Sequence, residues 1–121
     1  MSRHRGAHPA DIKLFGENCL GDLRLGVSDL SWLLSRGYAA TASLKLVGDR
    51  YLLRERQRLA VARAACSDRQ MTQRERSRIP IAGIKDRPLL LDGFNLIITI
   101  EAALSGGVLI ACRDGCIRDL S

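Results

Sequence analysis

The chain has 121 residues, 46% hydrophobic and 26% charged, which is a folding globular composition and excludes a disordered tail, a collagen-like fibre and a mucin-like stalk. With 11 Gly, 3 Pro, one Trp, two Tyr and two Phe, it fits neither a disulfide-stapled miniprotein nor an aromatic platform for single strands, and its core must be aliphatic. The formal net charge of +6 points toward anionic partners without naming one.

The first ten residues, with His4 and His8, carry charge but no apolar stretch behind it, and the longest apolar stretch, 96–104, is interrupted by Thr99 and Glu101. Neither a secretion signal nor a membrane span is predicted, so a cytoplasmic protein is expected. Its cysteines, Cys19, Cys66, Cys112 and Cys116, then read as reduced thiols, with Cys66 and Cys112 in apolar surroundings.

Leu20, Leu23, Val27, Leu30 and Leu34 recur at spacings of three and four, the stripe of an amphipathic helix over 18–36 with Gly37 past its end. Gly21 and Gly26 weaken that helix, so a break near Ser28-Asp29 is an alternative. Trp32 falls beside Leu30, Leu33 and Leu34 and is expected in the core, although Trp32 and Tyr38 could stack on a base. A short helix over 39–47 is expected to end in a turn at Gly48-Asp49. A third, over 54–66, should turn Leu59, Ala62, Ala65 and Cys66 to one side, with Ser67-Asp68 either ending it or capping a subsequent turn.

After Arg78 the texture changes. Leu89-Leu90-Leu91 reads as a strand buried on both faces, and Leu96, Ile97, Ile100, Ala103 and Leu104 as a helix ending at Gly106-Gly107. Val108–Cys112 reads as a second strand closed by Asp114-Gly115. Strand, helix and strand outline one parallel βαβ unit. The expected fold is therefore α+β: an arginine-rich helical domain over 1–78, then the start of a Rossmann-type domain over 79–121. Two strands leave both sheet edges open, so either a missing C-terminal segment or a partner chain, such as a second copy, is expected to complete the sheet.

The charge surplus sits in one segment. Residues 50–78 hold nine arginines against Glu55, Asp68 and Glu75, and the remainder sums to zero. Arg54, Arg56, Arg58, Arg63, Arg74, Arg76 and Arg78 are candidates for binding RNA or DNA phosphates, with affinity that falls as salt rises. The alternative is a solvated helix face and a charged linker.

Asp92-Gly93-Phe94-Asn95 carries the chemistry, at the expected carboxyl end of a strand and the start of a helix, where ligands converge in open α/β sheets. A carboxylate there can hold Mg²⁺ or Mn²⁺ and the Asn can orient water, making Asp92 and Asn95 the catalytic candidates; equally, Asp92 can simply cap the helix. Asp114 and Asp119 are the candidate further metal ligands, coming after the second strand. A zinc set of Cys112, Cys116, His4 and His8 is disfavoured, since Cys-x₃-Cys is not a knuckle spacing.

Leu91-Asp-Gly-Phe-Asn-Leu96 resembles the strand-one signature of NYN and PIN-like nucleases. That resemblance implies a PIN-like fold and metal-dependent RNA cleavage, and only Asp92 and Asn95 can be carried over from it. A longer stretch, from about His8 to Ser121, resembles domain-of-unknown-function family 434, through Asp29–Tyr38, Leu44–Tyr51, Arg56–Val61, Ala64–Ser67, Asp92–Asn95, Glu101–Gly107 and Arg113–Gly115. That family implies a fold but no established activity. The reading is thus an uncharacterised protein that binds nucleic acid beside a nuclease-like half site, inactive as it stands, or else a non-catalytic assembly module.

Overall fold

The computed structural model describes residues 7–121. Helices α1 (Asp11–Leu14), α2 (Glu17–Ser35), α3 (Ala40–Arg50), α4 (Glu55–Ala64) and α5 (Asp68–Ser77) are followed by α6 (Ile81–Ile84) and α7 (Gly93–Leu104). Strands β1 (Leu109–Ala111) and β2 (Ile117–Asp119) close the order as an antiparallel pair, with Ile110 opposite Arg118. The class is α+β, dominated by helix.

The leucine stripe produces one continuous helix, α2, rather than two pieces. Asp29 does not break it, and its carboxylate accepts a hydrogen bond from the Tyr51 hydroxyl at 2.6 Å. Gly26 lies where α2 meets its neighbours: a Cβ there would stand 3.5 Å from both Val47 and Val61. The helix ends at Gly37, with φ of +87°, in a Schellman motif: the Gly37 and Tyr38 N–H groups donate to the carbonyls of Leu34 and Leu33. Leu23, Leu30, Val47, Leu53 and Val61 form the buried core, which is aliphatic as the composition required.

Three local expectations are corrected. Gly48-Asp49 is helical, and α3 turns two residues later, where Leu52 takes φ of +52°. Gly48 serves space rather than a turn, because a Cβ would lie 2.6 Å from the Arg58 guanidinium. On α4 the buried side is Gln57, Ala60, Val61 and Ala64, while Leu59 is 37% exposed. The Gln57 amide sets that rotation by donating to the Leu14 carbonyl and accepting from the Arg54 N–H, both at 2.8 Å. Trp32 is 55% exposed, with the Arg36 guanidinium 4.5 Å from its ring centroid. It stands two residues, or about 200° of helix, from the buried Leu30.

The larger correction concerns residues 79–121. Leu89–Leu91 form no strand, and the expected parallel βαβ unit is replaced by an antiparallel hairpin. No Rossmann-type sheet is present among the described residues. The hairpin wins because its partner is local. Gly115, at φ of +85°, donates to the Cys112 carbonyl, and Cys112 donates to that of Cys116, giving a three-residue loop with glycine in the left-handed position. A parallel partner would instead require a long crossover. Helix α7 forms as expected and ends before Gly106, at φ of +74°, but Ile98, Thr99 and Ala102 face the body. The apolar stripe read from sequence lies on the opposite side, in solvent.

Candidate functional site

Asp92 is the N-cap of α7. Its carboxylate accepts from the Asn95 backbone N–H at 3.4 Å and from the Asn95 side-chain amide at 2.7 Å. The pair therefore engages itself, at an exposed helix start that no strand among the described residues precedes.

Asp114 and Asp119 are held in different ways. The Asp114 side chain is 1% exposed and takes a bidentate contact from Arg118, at 2.7 and 2.9 Å, a further bond from Arg74 at 2.9 Å, and one from the Cys116 N–H at 3.0 Å. The Arg118 guanidinium holds this carboxyl far below the usual carboxylate range, and Asp114 in turn raises the Arg118 pKa. Asp119 accepts from the Thr99 hydroxyl at 3.1 Å and the Ser121 N–H at 2.9 Å. Burial pushes its pKa up, but the hydrogen bonds prevail and the net shift is downward. No group of three or more His, Cys, Asp or Glu converges among the described residues. For the zinc set, Cys112 is buried, Cys116 is exposed and His4 lies outside the described residues. All four cysteines are free thiols.

Four of the nine arginines of residues 50–78 are engaged within the fold. Arg56 grips Asp11 through two nitrogens, lowering the Asp11 pKa and tying α1 to α4. Arg58 donates to the Leu53 carbonyl and to Asp49. Arg63 donates to the carbonyls of Asp119 and Ser121, joining α4 to the end of β2. Arg74 reaches Asp114, and Arg113, which sequence reasoning passed over, donates to Asp68 and to the Cys66 carbonyl. The missed signal was the pair of arginines flanking the hairpin turn, Arg113 and Arg118, within reach of Asp68 and Asp114. Arg54, Arg69, Arg76 and Arg78 make no side-chain ion pair among the described residues.

The fold brings some candidates together. Arg56, Arg63, Asn95 and Asp119 line one cleft of about 740 Å³ between α4, α7 and β2, with Thr99 and Arg118 beside them. Arg74 and Asp114 lie elsewhere, paired with each other, and Arg76 lines a groove along α5 with Arg69, Thr72 and Asp68.

The surface of residues 79–104 has a different character. Leu90 is 99% exposed, Phe94 83% and Leu104 85%, and Leu89, Leu91, Ile97 and Ile100 stand about half or more in water. Singly exposed apolar side chains are ordinary, whereas a run along one helix face and the segment before it marks an interaction surface.

Comparison with known proteins adds two family likenesses. Residues 22–77 are similar to the family described as "Protein of unknown function (DUF434)". Residues 81–121 match a second model, "Domain of unknown function (DUF5616)". The chain is also 31% identical over 91 residues to an uncharacterized protein of Methanocaldococcus jannaschii, a stretch that makes up 75% of this chain and 44% of that protein. The chain thus spans less than half the length of that relative. No solved structure matches it. The DUF434 match covers the helical, arginine-rich part, and the second model covers α6, α7 and the hairpin. Neither description assigns an activity. No helix among the described residues is long and apolar enough to cross a membrane.

Proposed function

We propose that this DUF434-like chain is an assembly module that pairs with a second copy through the aliphatic face of residues 89–104. The observation that carries the reading is the near-complete exposure of Leu90, Phe94 and Leu104 in α7 and the segment before it. Fully withdrawing a side chain of this size from water is worth about 1.5–3 kcal/mol, so several of them favour association strongly. The face opposes Ile98, Thr99 and Ala102, so covering it would leave the packing of α7 on the body untouched. The α5 groove, lined by Arg69, Arg76 and Asp68, belongs to another element. Sedimentation of the chain tests this: a species near twice the 13.3 kDa monomer is expected, weakened by Ile97→Glu with unchanged helix content. A monomer at all accessible concentrations refutes it.

A second reading rests on α5, which buries no residue and presents Arg69 and Arg76 along one groove, with Arg78 just beyond. It is the part of the arginine segment suited to RNA or DNA phosphates, because Arg56, Arg58, Arg63 and Arg74 are engaged internally. Binding of a single-stranded RNA that weakens steeply with salt and is lost in Arg69→Ala/Arg76→Ala is the expected result. Binding unchanged in that variant would refute it. Nothing in the carboxylate arrangement favours Mg²⁺- or Mn²⁺-dependent cleavage, since Asp92 caps α7 and Asp114 is enclosed by two guanidiniums.

A further inference from the structure

Strand β1 has one partner and one open edge, and backbone alternation says which groups are unused. Cys112 donates to the Cys116 carbonyl, so the residue two before it, Ile110, is the one that exchanges ladder bonds with Arg118. The peptide groups of Leu109 and Ala111 therefore point away from β2. The Arg113 N–H shares their edge and confirms its direction by donating to the Ala64 carbonyl at 2.9 Å. That edge opens on an apolar groove of about 800 Å³ between β1, α2 and α4, walled by Leu20, Leu23, Val27 and Val61. The charged residues on its lining are Arg24 and Arg113, both cationic; Arg113 is already paired with Asp68, and Arg24 makes no ion pair among the described residues.

Elsewhere the same chain carries an element with the complementary properties. Leu89-Leu90-Leu91 is aliphatic, exposed, neither helix nor strand, and ends on the anionic Asp92. In its own chain it pairs with nothing among the described residues. We infer that Leu89–Leu91 of one copy adds as a strand to the open edge of β1 in the other, seating its leucines in the groove and its Asp92 end near a groove arginine. This rests on the assembly reading and specifies its geometry. Main-chain hydrogen bonds from Leu109 and Ala111 would supply the pairing and the groove the side-chain selectivity, as in other strand additions.

Two variants isolate the claim. Leu90→Asp changes a side chain that touches almost nothing in the monomer, and should weaken self-association at least about 10-fold while leaving the fold intact. Ala111→Pro removes an N–H that the hairpin does not use, so it should block strand addition equally while sparing the β1–β2 ladder. Should the proline variant fail to fold, amide exchange of the wild type decides: the Leu109 and Ala111 amides should be protected in the dimer and lose that protection in Leu90→Asp. A dimer in which those two amides exchange freely, or one that survives both substitutions, overturns strand addition but leaves assembly through α7 standing. A wild-type monomer overturns both, and a monomer with the two amides protected means that the strand pairs within its own chain.

Discussion

Replacing Asp114 with Asn is the perturbation that best separates a structural carboxylate from a ligand-binding one. The side chain is 1% exposed and accepts from Arg118, Arg74 and the Cys116 N–H, so it joins the hairpin to α5. Hydrogen bonds to charged groups are worth about 1.5–3 kcal/mol each, and removing one member of a buried pair costs about 3–5 kcal/mol. Arg74 and Arg118 are 43% and 32% exposed, so once released they regain water, which places the expected loss nearer 2–4 kcal/mol. The pH dependence follows from the depressed carboxyl pKa. The stabilisation is fully present above the unfolded-state value near 3.8 and is lost as pH falls from there through the folded value. Urea unfolding of both proteins at neutral pH and in acid measures it. The gap should be wide at neutral pH and narrow only in strong acid. A variant within about 0.5 kcal/mol of wild type at neutral pH, the range of ordinary surface changes, would refute the clamp.

Two further outcomes rest on backbone chemistry. Leu52 is 85% exposed and sits at φ of +52°, with its own N–H and that of Leu53 closing the end of α3 onto the Asp49 and Gly48 carbonyls. A left-handed non-glycine residue costs about 1–2 kcal/mol, partly offset in Leu52→Gly by unfolded-state entropy, so chemical denaturation should show a gain of about 0.5–1 kcal/mol. Asp92→Ala should cost about 0.5–2 kcal/mol through loss of the α7 cap, read as an earlier thermal transition, and the added presence of Mg²⁺ should not change that difference.

The arginine surplus shows why a charge count does not by itself locate a binding surface. Residues 50–78 carry all of the net charge, yet Arg56, Arg58, Arg63 and Arg74 close onto acids or carbonyls contributed from as far away as residues 11 and 121. Apart from the nearby Asp49 and Leu53 of Arg58, those partners are distant in sequence and become adjacent only when α1, α4, α5 and the hairpin pack. Asp92-Asn95 behaved differently: its helix-capping role was readable because capping is local, and the structure places both side chains on each other.

Four helices and their punctuation were legible in the sequence, whereas α5 was read only as a possible turn after Ser67-Asp68. Three- and four-residue apolar spacing made α2, glycine ended it at Gly37, and Asp114-Gly115 turned the chain, because these depend on interactions within a few residues. Tertiary structure alone decided which face of each helix is inside. The stripe of α7 is apolar in either case, but only packing shows that Ile98, Thr99 and Ala102 meet the body while Ile97, Ile100 and Leu104 remain in water. It also decided the strands: Val108–Cys112 is equally suited to a parallel or an antiparallel neighbour, and the choice fell to the residues beyond the turn, whose short loop closes at less entropic cost than a crossover.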